Sequence, residues 1–323
     1  MDAGAPDLAT LLQPVSVADF VGEHWDRAPM VVHARDGGGP DRFAHILTPD
    51  TVDRLVSEGG LRDGAVRLTR GAEVAGGWSV PALAWGPGHV RDYARPERVF
   101  DLMRAGWTLT LPRAEQADAA VGAVCRMLRE AFGAHATAAV VRAPVGAPAG
   151  VHRYDTTNQF VLQCAGSQRW RVFAAHIHQP LPDEACPADG VAPGPLVLDV
   201  RLEAGDLLFI PRGFVFRASG LDHTRSLHVS VGVRPTTWND VVQAVVTQLR
   251  EGAGEPGDTP FRVDTRGAVA LSEEQEDHVD EAVENTLLDV DLEELVQALG
   301  RRMAGTNTHA PLSAALHTTE DAP

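Results

Sequence analysis

The sequence contains no lysine, so all 28 of its basic residues are arginines. Against them stand 44 Asp and Glu residues, which give a net charge of −16 at pH 7. Because nucleic-acid binding depends on a basic surface that neutralises phosphates, this balance argues against a nucleic-acid partner. It favours a neutral or basic partner such as a peptide, although a solvated acidic surface would explain the same charge.

Cysteine and long apolar runs are also scarce. The three cysteines, Cys125, Cys164 and Cys186, form no Cys-x-x-Cys pair, so they predict neither a disulfide framework nor a zinc site. No apolar window approaches the roughly 18 residues of a membrane-spanning helix. The N-terminus lacks the basic and apolar segments of a secretion signal. We therefore expect a cytoplasmic protein with no membrane partner.

With 323 residues, the chain is long enough for one large domain and a smaller one. Hydrophobic spacing and cap residues predict an α+β fold. The predicted helices lie near 16–24, 49–55, 115–132, 237–249, 272–288 and 291–303. The predicted strands outside the motifs below are 29–33, 66–69, 107–111 and 136–141.

Two stretches organise the rest of the chain. The first, GVHRYDTTNQFVLQCAGSQRWRVF at 150–173, has a polar cluster followed by two strand-like segments. Gly166 lies between these segments and predicts a hairpin turn, because such a turn needs a positive φ. The second stretch, EAGDLLFIPRGFVF at 203–216, predicts a turn, a buried strand and a Pro-Arg-Gly corner that begins another strand.

Together these stretches resemble the JmjC branch of the cupin superfamily, in particular the ribosomal-oxygenase-like hydroxylases of the bacterial 50S arginine and nucleolar histidine types. The matching residues are Phe160–Gln163, Gly166, Arg169–Arg171, Gly205–Asp206 and Pro211–Gly213. The resemblance covers about residues 10–240. It implies a double-stranded β-helix (cupin or jelly-roll, JmjC type) with N-terminal helices over 1–235. It also implies a C-terminal helical dimerisation region over 236–323, and hence a homodimer.

The resemblance also assigns the metal ligands of the family, and there this chain differs. Asp155 falls on the ligand Asp, but Arg153 falls on the first ligand His and Phe216 on the distal one. A non-haem iron site needs two imidazoles and a carboxylate. Arginine has no acceptor lone pair for a metal, and phenylalanine has no donor atom. We therefore expect no metal ion at this position.

The cosubstrate positions differ in the same way. The basic residue that holds 2-oxoglutarate in the family falls on Gln168, and an Asn and a Tyr that face it fall on Ala139 and Val141. We therefore expect no cofactor, and Fe(II) with 2-oxoglutarate only if the ligands are rearranged.

The polar residues left in the predicted barrel suggest an acid–base site. We assign catalytic roles to Arg153, Asp155 and His228, because an imidazole titrates near neutrality and an arginine stabilises developing negative charge. His228 lies on a predicted strand at 226–232, where alternation turns it toward the lumen; a buried, hydrogen-bonded histidine is the alternative. The predicted substrate-binding residues are His152, Tyr154, Gln159, Gln168 and Phe216.

Three functions remain open, each with a peptide or protein substrate or partner. The first is an enzyme with metal-independent acid–base chemistry on a peptide, such as epimerisation or cyclisation. The second is a non-catalytic pseudo-oxygenase that binds a peptide or protein. The third is an Fe(II)/2-oxoglutarate-dependent hydroxylase with rearranged ligands, for example His152, Asp155 and His228.

Overall fold

The computed structural model describes residues 7–58, 61–77, 79–80, 93–237 and 239–243. Within these ranges the principal α-helices are α1 (Leu8–Leu12), α2 (Val17–Asp19), α3 (Ala34–Gly37), α4 (Pro49–Glu58), α5 (Pro96–Arg104) and α6 (Ala119–Phe132). A π-helix covers Phe20–His24, and short 3-10 helices cover Asp63–Ala65 and Ala114–Gln116. None of the helices in these ranges is both long enough and apolar enough to cross a membrane.

The strands follow in chain order. They are β1 (Met30–Val32), β2 (Arg67–Arg70), β3 (Glu73–Val74), β4 (Ser79–Val80), β5 (Tyr93–Ala94), β6 (Thr108–Pro112), β7 (His135–Ala143), β8 (Asn158–Ala175), β9 (Leu196–Glu203), β10 (Leu207–Ile210), β11 (Phe214–Ser219) and β12 (Ser226–Arg234). The strands predicted at 29–33, 66–69, 107–111, 136–141 and 226–232 are all present, with ends that differ by at most two residues.

Local side chains explain where the helices begin. The backbone N–H of Asp19 donates to the Ser16 hydroxyl at 3.1 Å, so Ser16 caps α2. Helix α6 begins at residue 119 rather than 115, because the Asp118 carboxylate accepts the N–H of Ala120 at 2.9 Å and caps it there. Glu115 instead accepts the N–H of Ala138 in β7, at 2.8 Å.

All pairings in the main sheet are antiparallel, in the order β1-β10-β8-β12-β7-β6-β2-β3. The first half of β8 pairs with β10 and β12. The second half pairs with β9 and β11. One long strand therefore belongs to both faces of the barrel.

The hairpin predicted at Gly166 is wrong, because β8 continues through that position without reversing. Gly166 does have a positive φ of 63°, but it serves a bend that carries the strand from one face to the other. A Cβ placed there would come within 1.7 Å of the Arg225 carbonyl oxygen. Only glycine fits this bend, for backbone conformation and for space.

The side-chain alternation of β8 changes just before that bend. Two consecutive residues of β12, Leu227 and His228, lie opposite Ala165 and Gln163, so Cys164 has no partner in β12. An extra residue of this kind is a β-bulge, and it shifts the two-residue alternation by one. After the bulge, residues of the other parity face the inside of the barrel.

The outer face of the main sheet packs against the N-terminal segment. The ring of Phe20 lies 4.8 Å from that of Phe209 and 5.7 Å from that of Phe160, and all three side chains are fully buried. A second apolar cluster fills part of the inside, with Val161, Trp170, Val172, Leu202, Leu208 and Ile210.

The Pro-Arg-Gly corner is anchored through its arginine and its glycine. Arg212 is buried and forms an ion pair with Asp26 at 2.9 Å, while its backbone N–H donates to the Asn158 side chain at 3.0 Å. Gly213 has a φ of 83° and donates its N–H to the carbonyl of Asp155 at 2.9 Å. The corner thus holds the polar cluster of the first motif in place.

The chain divides into two compact units, residues 1–131 with 135–235 and residues 132–134 with 236–323. In the second unit, residues 239–243 are helical, where the sequence predicts a helix opening at Thr237. The predicted helices at 272–288 and 291–303 and the predicted dimerisation role lie outside the described residues.

Candidate functional site

A cavity of about 440 Å³ lies inside the barrel and opens at one end. Its charged lining residues are Arg67, Arg153, Arg217 and Asp189. Three cations against one anion give the cavity a local positive charge in a chain with a net charge of −16. Uncharged polar side chains also line the cavity, among them threonines of β2 and β6, Gln168 of β8 and His228 of β12.

One row of paired residues forms the wall from the main sheet. Arg67 lies opposite Thr110, Thr110 opposite Val141, and Val141 opposite His228. Directly opposed residues of antiparallel strands project from the same face, so this row points into the cavity. Thr69 and Thr108, two residues further along β2 and β6, pair with each other and line the same wall.

The opposite wall comes from the second half of β8 and from β11. The Trp170 ring lies 5.4 Å from the His228 ring, edge to face, and 5.9 Å from the Phe216 ring. The hydroxyl of Ser226 accepts from Gln163 Nε2 at 2.9 Å and donates to Gln168 Oε1 at 3.2 Å. The two walls therefore meet around Trp170 and His228.

Three buried polar atoms of residues that line the cavity have no hydrogen-bond partner in the described part of the chain. They are Trp170 Nε1, Arg217 Nε and His228 Nδ1; the residues Trp170 and His228 are 4% and 3% exposed. A buried polar group without a partner costs free energy, because it has lost its hydrogen bonds to water. These atoms are themselves buried, although their residues line the cavity.

Arg153 stands directly across from Phe216. Their backbones exchange two hydrogen bonds, of 3.1 Å from Arg153 N–H and 2.7 Å from Phe216 N–H, so the two side chains share a face. The guanidinium of Arg153 contacts the carboxylate of Asp155 at 3.3 Å. Half of the Arg153 side chain is exposed, at the open end of the cavity.

Burial displaces the pKa values of two predicted catalytic residues in opposite directions. Desolvation raises the pKa of the Asp155 carboxyl, and the charge and hydrogen bond of Arg153 lower it in part. Desolvation lowers the pKa of His228 from 6.5 to about 4. At pH 7 the imidazole of His228 is therefore neutral.

The predicted site residues divide between the cavity and its surroundings. Arg153, Gln168, Phe216 and His228 line the cavity, whereas Asp155 lies behind Arg153. The others pack elsewhere: the His152 ring contacts Phe173 at 5.2 Å, the Tyr154 hydroxyl donates to the Glu184 carbonyl at 2.9 Å, and Gln159 bonds to Thr157 and Ser230.

Sequence reasoning missed the wall formed by β2 and β6. Arg67 and Thr69 alternate with the buried Leu68, and Thr108 and Thr110 alternate with buried leucines. Polar residues at every second position on two adjacent strands predict a polar surface on one face. The alternation alone indicates a polar face on each strand. Only the pairing of β2 with β6 brings these side chains together in one wall of the cavity.

The ligand positions assigned by the resemblance do not fit a metal ion. They carry Arg153, Asp155 and Phe216, of which only the aspartate can bind a metal. Among the residues that the structure describes, no group of three or more His, Cys, Asp and Glu side chains could hold a metal ion. The rearranged set of His152, Asp155 and His228 is therefore not assembled.

An antiparallel barrel with a ligand-sized cavity between two sheet faces is a cupin-type double-stranded β-helix. Residues 116–241 match the family model of the JmjC domain. The similarity to the JmjC domain that the two sequence motifs predicted is therefore confirmed over these residues.

The relatives are ribosomal oxygenases. The chain is 29% identical over 244 residues to ribosomal oxygenase 1 of Gallus gallus, across 73% of this chain and 38% of that protein. It is 25% identical to the bifunctional lysine-specific demethylase and histidyl-hydroxylase NO66 of Dictyostelium discoideum, across 77% of this chain and 47% of that protein. The chain thus spans less than half the length of these curated relatives.

Solved structures show the same fold. The ribosomal oxygenase YcfD of Escherichia coli, in complex with cobalt and 2-oxoglutarate, superimposes with a TM-score of 0.56 at 19% identity. The match covers 88% of this chain and 71% of that one.

The prediction that no cofactor is involved is contradicted by these comparisons, because a structural neighbour holds both a metal and 2-oxoglutarate. The two groups fit the present residues differently. A dicarboxylate fits a cavity lined by three arginines, whereas a metal finds no set of ligands among the described side chains.

Proposed function

We propose that this chain acts on a protein or peptide substrate as a JmjC protein of the oxygenase type, with the barrel cavity as its working site. The observation that carries this proposal is the open cavity of about 440 Å³ with a polar lining. Had the barrel become a structural module only, Phe216 and its neighbours would be expected to fill this space, since protein interiors pack closely.

The names of the relatives support a function on protein side chains. Their names describe hydroxylation and demethylation of histidine and lysine, which are reactions on protein side chains. The sequence similarity to them extends over about three quarters of this chain. A dicarboxylate of the 2-oxoglutarate class would be held by Arg67 and Arg153, and in oxygenases such a cosubstrate supplies two electrons for reducing oxygen.

Acid–base chemistry on a peptide receives little support from the geometry. Asp155 is engaged by Arg153 and does not line the cavity. His228 lines the cavity, but with a pKa of about 4 it is a weak base at pH 7. Asp155 and His228, the predicted acid–base pair, therefore do not both line the cavity.

The test is a search for oxidised substrate. The purified full chain is incubated with Fe(II), ascorbate, 2-oxoglutarate and ribosomal proteins or peptide pools. Succinate is followed by NMR, and a gain of one oxygen atom on a peptide by mass spectrometry. We expect both products in equal amounts, and a strong reduction in Val141→Phe, which narrows the cavity. The matched control is Val145→Phe at an exposed position. Absence of both products across these pools would refute the oxygenase proposal.

A non-catalytic binding protein is the second candidate. The observation that favours it is the lack, within the described residues, of three side chains able to hold a metal ion. The same incubation separates the two candidates. A peptide that is retained by the wild type, released by Val141→Phe and unchanged in mass would identify a binding protein.

A further inference from the structure

We propose that a second pocket, on the outer face of the main sheet, is a docking site for a peptide segment that carries large apolar side chains next to carboxylates. This outer pocket has a volume of about 440 Å³ and shares none of its described lining residues with the barrel cavity. The inference concerns a surface that the proposed function does not use, and it does not rest on that function.

The register of the strands places the outer pocket on the far side of the barrel wall. Arg142, which lines it, lies opposite Leu109 of β6 and Leu227 of β12. The preceding residue, Val141, belongs to the row that faces the barrel cavity. Because neighbouring residues of a strand project to opposite faces, Arg142 points away from that cavity. The two sites therefore lie on opposite sides of one sheet.

One side of the outer pocket is apolar. Phe100 and Met103 of α5 lie three residues apart, so they share a face of the helix, and Trp107 follows the end of that helix. The guanidinium of Arg70 lies 5.0 Å from the centre of the Trp107 ring and holds it in place. All three apolar residues are partly exposed. A partner that covers them therefore gains free energy from the burial of apolar surface.

The other side is cationic. Arg104, Arg142 and Arg225 line the outer pocket, and Asp53 is the one acidic residue in its described lining, which leaves a net charge of +2. Asp53 is bound by Arg142, whose side chain is 15% exposed. Arg104 has only a surface pair with Asp101, which is a weak interaction. Arg225 is exposed and forms no ion pair within the residues that the structure describes.

The backbone of Arg225 is nevertheless fixed. Its carbonyl accepts the N–H of Ser167 at 3.3 Å and the hydroxyl of Thr224 at 3.0 Å. The guanidinium is thus carried to the outer pocket by an ordered stretch of chain and has no internal carboxylate to leave. Binding of an external carboxylate therefore costs little ordering of the backbone.

The acidic balance of the whole chain does not oppose such a ligand. Residues 250–323 contain 17 of the 44 acidic residues but only five of the 28 arginines. Residues 1–249 are close to balanced, with 23 arginines against 27 acidic residues. Since charges more than about 10 Å apart are largely screened at ordinary ionic strength, the arginines at the outer pocket determine the potential there.

The residue types indicate a peptide as the occupant. Aromatic residues, methionine and arginine are the side chains enriched in protein interfaces, and tryptophan and arginine contribute most to their binding energy. The outer pocket combines all of these types, and its volume admits more than a single functional group. An apolar side chain fits against α5, while a neighbouring carboxylate pairs with Arg142 or Arg225.

The experiment measures the binding of four capped octapeptides by calorimetry at low and high salt. Their central sequences, flanked by Gly and Ser, are Leu-Leu-Glu-Glu, Leu-Leu-Gln-Gln, Leu-Leu-Lys-Lys and Ala-Ala-Glu-Glu. We expect the first to bind at least tenfold more tightly than each of the others, because only it supplies both the apolar and the anionic group. Its binding should weaken as salt rises.

Variants locate the binding on the protein. Arg225→Met should weaken binding of the Leu-Leu-Glu-Glu peptide about tenfold, and Met103→Glu, which adds a negative charge to the apolar side, should abolish it. Arg35→Met, at a side chain that is 80% exposed outside the outer pocket, is the matched control and should bind as the wild type does. Val141→Phe, on the other side of the sheet, should also leave binding unchanged.

Four results would each overturn the inference. They are no binding of the Leu-Leu-Glu-Glu peptide at up to about 1 mM, equal binding of this peptide and any of the other three, binding that Arg225→Met leaves unchanged, and binding that Val141→Phe abolishes. Arg225→Met alters an exposed side chain, so the test stands even if urea unfolding shows that Met103→Glu does not fold. None of these readouts depends on turnover, so this inference and the oxygenase proposal can fail separately.

Discussion

His228 should make the stability of this protein depend on pH, and the size of the effect follows from its burial. The residue is 3% exposed, and desolvation lowers the pKa of its imidazole from 6.5 to about 4. In the unfolded chain the imidazole regains its ordinary pKa. Between these two values the unfolded state binds more protons than the folded state, so protonation favours unfolding.

The sign and magnitude can be stated for a definite pH window. The stability that comes from neutral His228 is fully present above pH 6.5 and is lost as the pH falls toward 4. A pKa difference of this size corresponds to about 3 kcal/mol once both states are protonated, and to about 2 kcal/mol at pH 5.

The assay compares urea unfolding of the wild type and His228→Gln at pH 7.5 and pH 5. Glutamine does not titrate, so the free energy of unfolding should fall between these pH values by about 2 kcal/mol less in the variant than in the wild type. His135 and His152, whose pKa values are also lowered, contribute equally to both proteins and cancel. Trp170→Phe keeps the buried imidazole and should retain the wild-type pH dependence.

Equal pH dependence in the wild type and His228→Gln would refute this reasoning. It would mean that the folded protein accommodates a charged imidazole at position 228 without cost. The comparison remains valid if the variant is less stable at both pH values, because only the difference between the two pH values is used.

Two further predictions test the fold. Gly166→Ala should lower the free energy of unfolding by more than about 3 kcal/mol or prevent folding, because a methyl group there meets backbone at a positive φ. Gly64→Ala, where nothing lies within 4 Å of the added carbon, is the control in urea unfolding and should change little. Burial raises the pKa values of the thiols of Cys125 and Cys164 to about 12, so at pH 8 a disulfide reagent should modify only Cys186 in the native protein, and all three cysteines in urea. Rapid native reaction of more than one thiol would contradict the burial described.

Much of this fold could be predicted because its motifs combine several local rules. The corner at 211–213 joins a proline and a positive-φ glycine, and each acts through its own backbone. The capped start of α2 and the buried face of α6 depend on spacing within one helix. These features need no knowledge of distant residues.

The bend at Gly166 and the cavity wall could not be predicted in this way. A glycine that permits a positive φ is compatible with a turn and with a bend, and the difference lies in which strands pair on each side. Arg67 and Thr110 became neighbours only through the pairing of β2 with β6. Long-range pairing decides such positions, so local patterns indicate a polar face but not its partner.

The bulge at Cys164 determines which residues of β8 face the inside of the barrel. Before it, odd-numbered residues such as Gln163 face inward, and after it even-numbered residues such as Trp170 do. Deleting one residue here would turn Trp170 outward and bring Arg169 and Arg171 into the cavity. Insertions and deletions along this part of β8 would therefore exchange the entire chemistry of one wall at once, whereas substitutions change it one side chain at a time.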